Sequence, residues 1–185
     1  MDLLAARAEK GAGLADPLCE LIPERKAFMT KLEIMADYFQ IYVCDPAYSE
    51  DWSALWTDQS VDDRIVALAH TVVFGTGRNM TVPVDVVVHE RKPDLTALVA
   101  PADHAVVGSL SCFSGQLKVA GCTDYLPDAF TLATSPGRYG VAFLSFDLGT
   151  IDPVGGFDGN DRYALHLWPA AALPKIAVLK RWNAS

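Results

Sequence analysis

The chain has 185 residues, 51% of them hydrophobic and 21% charged, with a formal net charge of -8. A length in this range suits one domain with a sizeable core, and the apolar fraction excludes general disorder. The acidity excludes the basic face that a nucleic-acid binder or an anionic-membrane binder normally carries.

The opening Met1-Asp2-Leu3-Leu4-Ala5-Ala6-Arg7 places an acid before the first apolar pair and a charge again at Arg7, unlike a secretory leader. The longest stretch free of acids and bases, His104 to Leu117, is too short and too rich in Gly and Ser for a membrane helix. A cytoplasmic protein is expected. Residues 1–30 combine helix formers with Gly11, Gly13, Pro17 and Pro23, and read as an N-terminal extension with a short helix over Leu3 to Lys10. Residues 31–185 read as one β-rich domain.

Within that domain Leu32, Ile34 and Ala36 alternate with Lys31, Glu33 and Asp37, the pattern of a half-buried strand. Tyr38 to Val43 is β-rich throughout, as a strand buried on both sides would be. Thr57 is placed to cap a short helix over Asp58 to Ala67, with Asp58, Asp62 and Asp63 near its start. Thr71 to Phe74 and Thr81 to Val88 read as a hairpin with a long turn, Pro83 marking an edge strand. A second hairpin is expected from Val106 to Ser111 and Gln116 to Ala120, around Phe113-Ser114-Gly115. Phe130 to Leu132 leads into Ser135-Pro136-Gly137, which fits a type II turn, and Tyr139 to Phe146 follows as a central strand. Tyr163 to Trp168 and Ile176 to Leu179 close the series. About eight strands with one or two short helices indicate an all-β fold, an antiparallel sandwich first and a partly closed barrel second.

Catalytic templates are absent: no G-x-S-x-G, H-E-x-x-H, phosphate-binding lysine loop or G-x-G-x-x-G occurs. Cys19, Cys44, Cys112 and Cys122 are scattered without a C-x-x-C and read as buried thiols, although Cys112 and Cys122 bracket the second hairpin. His70, His89, His104 and His166 lie in or beside strands, where a lone histidine is commonly half-buried. Their convergence in the mouth of a barrel would make an enzyme or a small-molecule binder, with or without a metal. Gly155 to Asp161 resembles a calcium loop but lacks the EF-hand spacing and its closing Glu, so it reads as a turn. No cofactor is expected.

One segment stands apart. Between Asp45 and Asp63 lie Asp45, Glu50, Asp51, Asp58, Asp62 and Asp63 with no Lys or Arg, six of the eight net negative charges, together with Trp52 and Trp56. Aromatics anchor protein interfaces, and a dense acidic field speeds docking to a basic partner. The alternative is a solvated loop whose tryptophans turn into the core.

The order of local patterns resembles the competence protein J family, small protein inhibitors of the competence nuclease. Phe39-Gln40-Ile41-Tyr42-Val43 is similar to that family's early aromatic-Gln strand. Asp51-Trp52 and Trp56-Thr57-Asp58-Gln59-Ser60-Val61 resemble its Trp-Thr-Asp helix entry, and Thr71 to Thr76 the strand that follows. Ser114 to Val119 is similar to its mid-chain hairpin, and Pro136-Gly137-Arg138-Tyr139 to its late strand entry. The similarity spans roughly residues 33 to 170. It implies a β-sandwich without an active site that acts as an inhibitor or immunity-type protein. Its partner would be a basic protein, first of all a nuclease, bound through Asp45, Glu50, Asp51, Trp52, Trp56, Asp58, Asp62 and Asp63. Neither nucleic acid nor membrane would be bound directly.

Overall fold

The computed structural model describes residues 28–152, 154, 157–172 and 174–183. The expected helix over Leu3 to Lys10 and Cys19 lie outside them. Two sheets face each other. The larger, six-stranded sheet has the order β1 (Phe28–Met35), β5 (Thr81–Val88), β10 (Arg162–Pro169), β9 (Gly137–Phe146), β6 (His104–Cys112) and β11 (Ala177–Lys180). The smaller has the order β3 (Ile65–Ala67), β4 (Thr71–Gly75), β2 (Gln40–Cys44), β7 (Gln116–Gly121) and β8 (Phe130–Ala133). The described strands number eleven, with two short helices, α1 (Asp58–Asp63) and α2 (Leu95–Val99). The architecture is a sandwich rather than a closed barrel, and every pairing is antiparallel except that of β5 with β10.

The period-two alternation of side chains builds the core. Ile41 and Val43 of β2, Val72 and Phe74 of β4 and Leu117 and Val119 of β7 point inward. They meet Val84 and Val86 of β5, Val141 and Phe143 of β9, and Tyr163, Leu165 and Leu167 of β10. Phe74 stacks on Phe143 with centroids 4.6 Å apart, and Phe143 on Tyr163 at 5.3 Å, so one aromatic column bridges the sheets. The alternate residues face outward. Ala142, Leu144, Ala164 and Trp168 are covered by Leu95, Leu98 and Val99 of the α2 segment. Tyr42, Cys44, Val66, Val73 and Ala120 on the other sheet are covered by Trp52, Trp56, Leu126 and Ala129.

Several expectations are corrected. Both anticipated hairpins are crossovers: β4 and β5 lie in different sheets, as do β6 and β7. Turn residues mark a reversal of the chain but not the sheet it re-enters. Pro83 lies in a strand flanked on both sides; β10 begins to pair with β5 only at Val84, so the missing N–H of Pro83 is tolerated there. Tyr38 and Phe39 belong to a short 3-10 turn and not to β2. Gly137 opens β9 without the positive φ that a type II turn requires. The helix from Thr57 stops at Asp63, because Arg64 adopts a left-handed cap and β-branched Ile65 and Val66 pair with β4. Cys44 and Cys112 are buried free thiols, and Cys122 is half-buried and also free. No described helix is long and apolar enough to cross a membrane.

One glycine marks a tightly packed contact between neighbouring strands of the larger sheet. A Cβ on Gly140 would lie 2.3 Å from Cε2 of the buried Trp168, whereas one on Gly137, in the same strand, meets nothing within 4 Å. Gly140→Ala is expected to cost about 1–3 kcal/mol or more through overpacking, and Gly137→Ala to stay within about 0.5 kcal/mol of the parent. Urea denaturation of the two variants checks this.

Candidate functional site

The acidic segment leaves β2 at Cys44, runs over the outer face of the smaller sheet and re-enters that sheet at Ile65. Cys44 pairs with Thr71 at one end of β4 and Ile65 with Phe74 near the other, so the segment spans the sheet end to end. Its first residue is a fixed point. The Asp45 carboxylate is buried and accepts hydrogen bonds from the backbone N–H groups of Ala47 (3.0 Å), Phe113 (2.7 Å) and Ser114 (3.0 Å). Burial would raise the Asp45 carboxyl; the bonds from Ser114, Ala47 and Phe113 outweigh it and hold it below its ordinary value.

Further along, Glu50 accepts from the His70 backbone N–H at 2.9 Å. Asp51 is exposed and accepts from Ser53 N–H at 2.9 Å, a bond that lowers its carboxyl. The half-buried indole of Trp52 donates to Gln40 Oε1 at 3.0 Å, its ring 5.0 Å from that of Tyr42. Thr57 and Ser60 exchange the two bonds of a capping box at the start of α1. Asp58 lies in the first turn, while Asp62 and Asp63 fall in the last, the unfavourable end of the helix dipole. Arg181 offsets this, pairing with the Asp63 carboxylate and donating through Nη1 to the Asp62 carbonyl at 3.1 Å. Asp51, Asp58 and Asp62 are exposed and have no ion-pair partner among the described residues.

At the α1 end of the sandwich opens a cleft of about 760 Å³, whose lining includes Trp56, Asp62, Arg64, His104, Arg181 and Trp182. Exposed Tyr38 and Phe39 stand at it, both with positive φ, 54° and 60°. Trp56 and Asp62 are the two expected site residues that reach the cleft. His104 also lines it, as the histidine-pocket alternative allows for one of the four, but Tyr38, Phe39, Arg64 and the tail were not anticipated: Tyr38 and Phe39 read as strand, and the pairing of the tail with α1 has no local sequence signal.

The four histidines fall in three places. His104 is buried in the cleft wall, its Nε2–H donating to the Asp63 carbonyl at 3.2 Å while Nδ1 accepts from Trp182 N–H at 3.2 Å. His70 stacks on Tyr48, centroids 3.6 Å apart, and donates through Nδ1 to the Ser111 carbonyl. His89 Nε2 and His166 Nδ1 are 2.9 Å apart on the larger sheet. Two histidines do meet, then, but no group of three or more His, Cys, Asp or Glu among the described residues is placed to hold a metal ion. Part of the loop that resembles a calcium site lies outside the described residues. Its last residue, Asp161, is buried, paired with Arg78 and bonded to the Tyr163 hydroxyl at 2.6 Å.

Burial pushes His104 down from 6.5 to about 4, with the charges of Arg64 and Arg181 adding to the effect. Burial and the neighbouring His89 bring His166 to about 4 as well. The folded protein therefore favours the neutral rings, and the unfolded chain binds protons first as pH falls. Stability is full above about pH 6.5 and is lost progressively toward pH 4, by up to about 3 kcal/mol per ring. His104→Gln, which can neither charge nor lose its bond to the Asp63 carbonyl, should show a shallower loss. Chemical denaturation at pH 7, 5.5 and 4.5 checks this.

No family model and no curated protein matches this sequence. Among solved structures, the fold is similar to that of ComJ from Bacillus subtilis, an inhibitor of the DNA-degrading activity of NucA. The TM-score is 0.60 at 12% identity, with 78% of this chain and 98% of that one covered. It is also similar to the product of crocagin biosynthetic gene J, with a TM-score of 0.53 at 18% identity over 78% of this chain and 99% of that one. The described sandwich thus has the fold of a known nuclease inhibitor, as the order of its sequence patterns implies.

Proposed function

We propose that this protein is a non-enzymatic inhibitor or immunity-type protein of the cytoplasm that binds a basic partner, a nuclease in the first place. Its docking surface would be the acidic tryptophan-bearing segment. The observation that carries this reading is the division of labour within that segment. Asp45 and Glu50 accept backbone hydrogen bonds that fix its path. Asp51, Asp58 and Asp62 are left facing solvent without ion-pair partners among the described residues, beside the half-buried rings of Trp52 and Trp56. Acids carried on a fixed backbone path and left without a cation among the described residues would be preorganised for Lys and Arg of another protein, and nearby aromatic edges would supply area to desolvate. Such a surface would compete with a phosphate backbone for a basic cleft. The shared fold with ComJ supports the inhibitor class.

Basic proteins retained from the native cell on the immobilised protein are to be assayed for nuclease activity with and without added inhibitor. Trp56→Ala should weaken inhibition by about 2 kcal/mol or more, as for a buried interface anchor. The pair Asp58→Asn and Asp62→Asn should mainly slow association and flatten its dependence on salt. If the unmodified protein leaves every retained nuclease fully active, the reading is wrong.

A further inference from the structure

The cleft at the end of α1 contains more than the partner surface requires. Two of its lining side chains, Trp56 and Arg64, each carry a buried donor, Nε1 and Nη1 respectively, with no hydrogen-bond partner. A buried donor left unpaired is destabilising, and a buried guanidinium edge more so. Asp161, an anion in Arg64's electrostatic surroundings, already pairs with Arg78 and accepts from the Tyr163 hydroxyl. Arg181, the other cation of the cleft, is held by Asp63. Burial lowers the Arg64 guanidinium, as expected for a cation short of counter-charge.

The mouth is apolar where the wall is polar. Tyr38 and Phe39 are exposed, at 68% and 48%, and held consecutively in the left-handed region, a conformation that costs L residues energy. The turn is fixed by Phe39 N–H donating to the Ala36 carbonyl at 2.9 Å and Thr76 N–H donating to the Phe39 carbonyl at 2.9 Å. Strain held in place so that two aromatic rings face solvent is the pattern of a recognition surface. The volume, about 760 Å³, is in the range of small-ligand clefts.

We infer that this cleft is a binding site for a carboxylate on an aromatic or branched apolar body, with the carboxylate accepting from Arg64 and the Trp56 indole N–H and the apolar body lying against Tyr38, Phe39 and Trp182. A planar guanidinium matches a carboxylate in shape and charge. A phosphate monoester, carrying nearly two charges, would be repelled more strongly than a single carboxylate by Asp62 of the lining, which has no ion-pair partner among the described residues. Both donor atoms are buried in this structure, so binding requires a side-chain rotation at the wall to bring them to the ligand. The site does not depend on the nuclease reading, although it shares Trp56 and Asp62 with that surface.

The test is NMR titration of the 15N-labelled full chain, following the indole N–H resonances of its four tryptophans. Three probes distinguish charge and source: N-acetyl-phenylalanine, its uncharged amide, and acetyl-Phe-Glu-amide, whose only carboxylate is a side chain. Saturable shifts of Trp56 and Trp182, with Trp168 unmoved, are expected for at least one carboxylate. The amide should bind about tenfold or more weakly, the value of a charge-assisted bond. Preference for the free amino-acid derivative supports a small-molecule ligand, and preference for the capped peptide supports a segment of another protein. Arg64→Gln should raise the dissociation constant about tenfold or more. Equal response to the amide and the acid, or no saturable shift with either carboxylate, overturns the inference without any variant. Neither result bears on nuclease inhibition.

Discussion

The acidic face depends on one buried charge. A carboxylate removed from water must be satisfied within the fold, and Asp45 is satisfied by three backbone N–H groups, two of them in the crossover between β6 and β7. That bond set ties the exit of β2 to the point where the chain passes from one sheet to the other. The segment from Asp45 to Asp63 is thereby fixed at its start. The packing of Trp52 against Tyr42 and the capping box at Thr57 fix its middle, and Arg181 on Asp63 fixes its end. Loops of this length are ordinarily adaptable; here each stretch has a reason to stay put. A surface already ordered loses less entropy on association, which is how a modest set of contacts reaches useful affinity.

Acids that look alike in the sequence differ in the fold. Asp45 and Glu50 hold the backbone, Asp63 is matched by Arg181, and Asp51, Asp58 and Asp62 are left outward without cations among the described residues. Net charge alone cannot make that distinction, because it counts a buried acceptor of backbone bonds and a solvated carboxylate equally. The acidity of the chain is thus partly structural and partly exposed to solvent.

Much of the fold is legible in the residues, for local reasons. Alternation across Lys31 to Asp37 and the β-branched run of Thr81 to Val88 mark strands, since one face of each must be buried. Thr57 caps its helix as its hydroxyl predicts. What the sequence hides is long-range. Whether a turn returns the chain to the same sheet or carries it to the facing one is decided by which strands compete for the edge, so both expected hairpins are crossovers. The helix running to Ala67 loses its last turn to pairing with β4, a tertiary contact outweighing a weak local preference. The cleft is illegible for the same reason: Tyr38, Arg64, His104 and Trp182 are far apart in sequence and meet only when the sandwich and its C-terminal segment have assembled.

The fold is similar to that of a known nuclease inhibitor, and the proposed docking surface is the acidic segment that runs along one face of the smaller sheet. Hydrogen–deuterium exchange of the protein, free and bound to the basic nuclease retained from its own cell, tests this most directly. New protection concentrated between Asp51 and Asp63, with α2 and the outer face of the larger sheet unchanged, is the predicted result. Protection confined to α2 and that outer face, with the acidic segment exchanging as in the free protein, would contradict it.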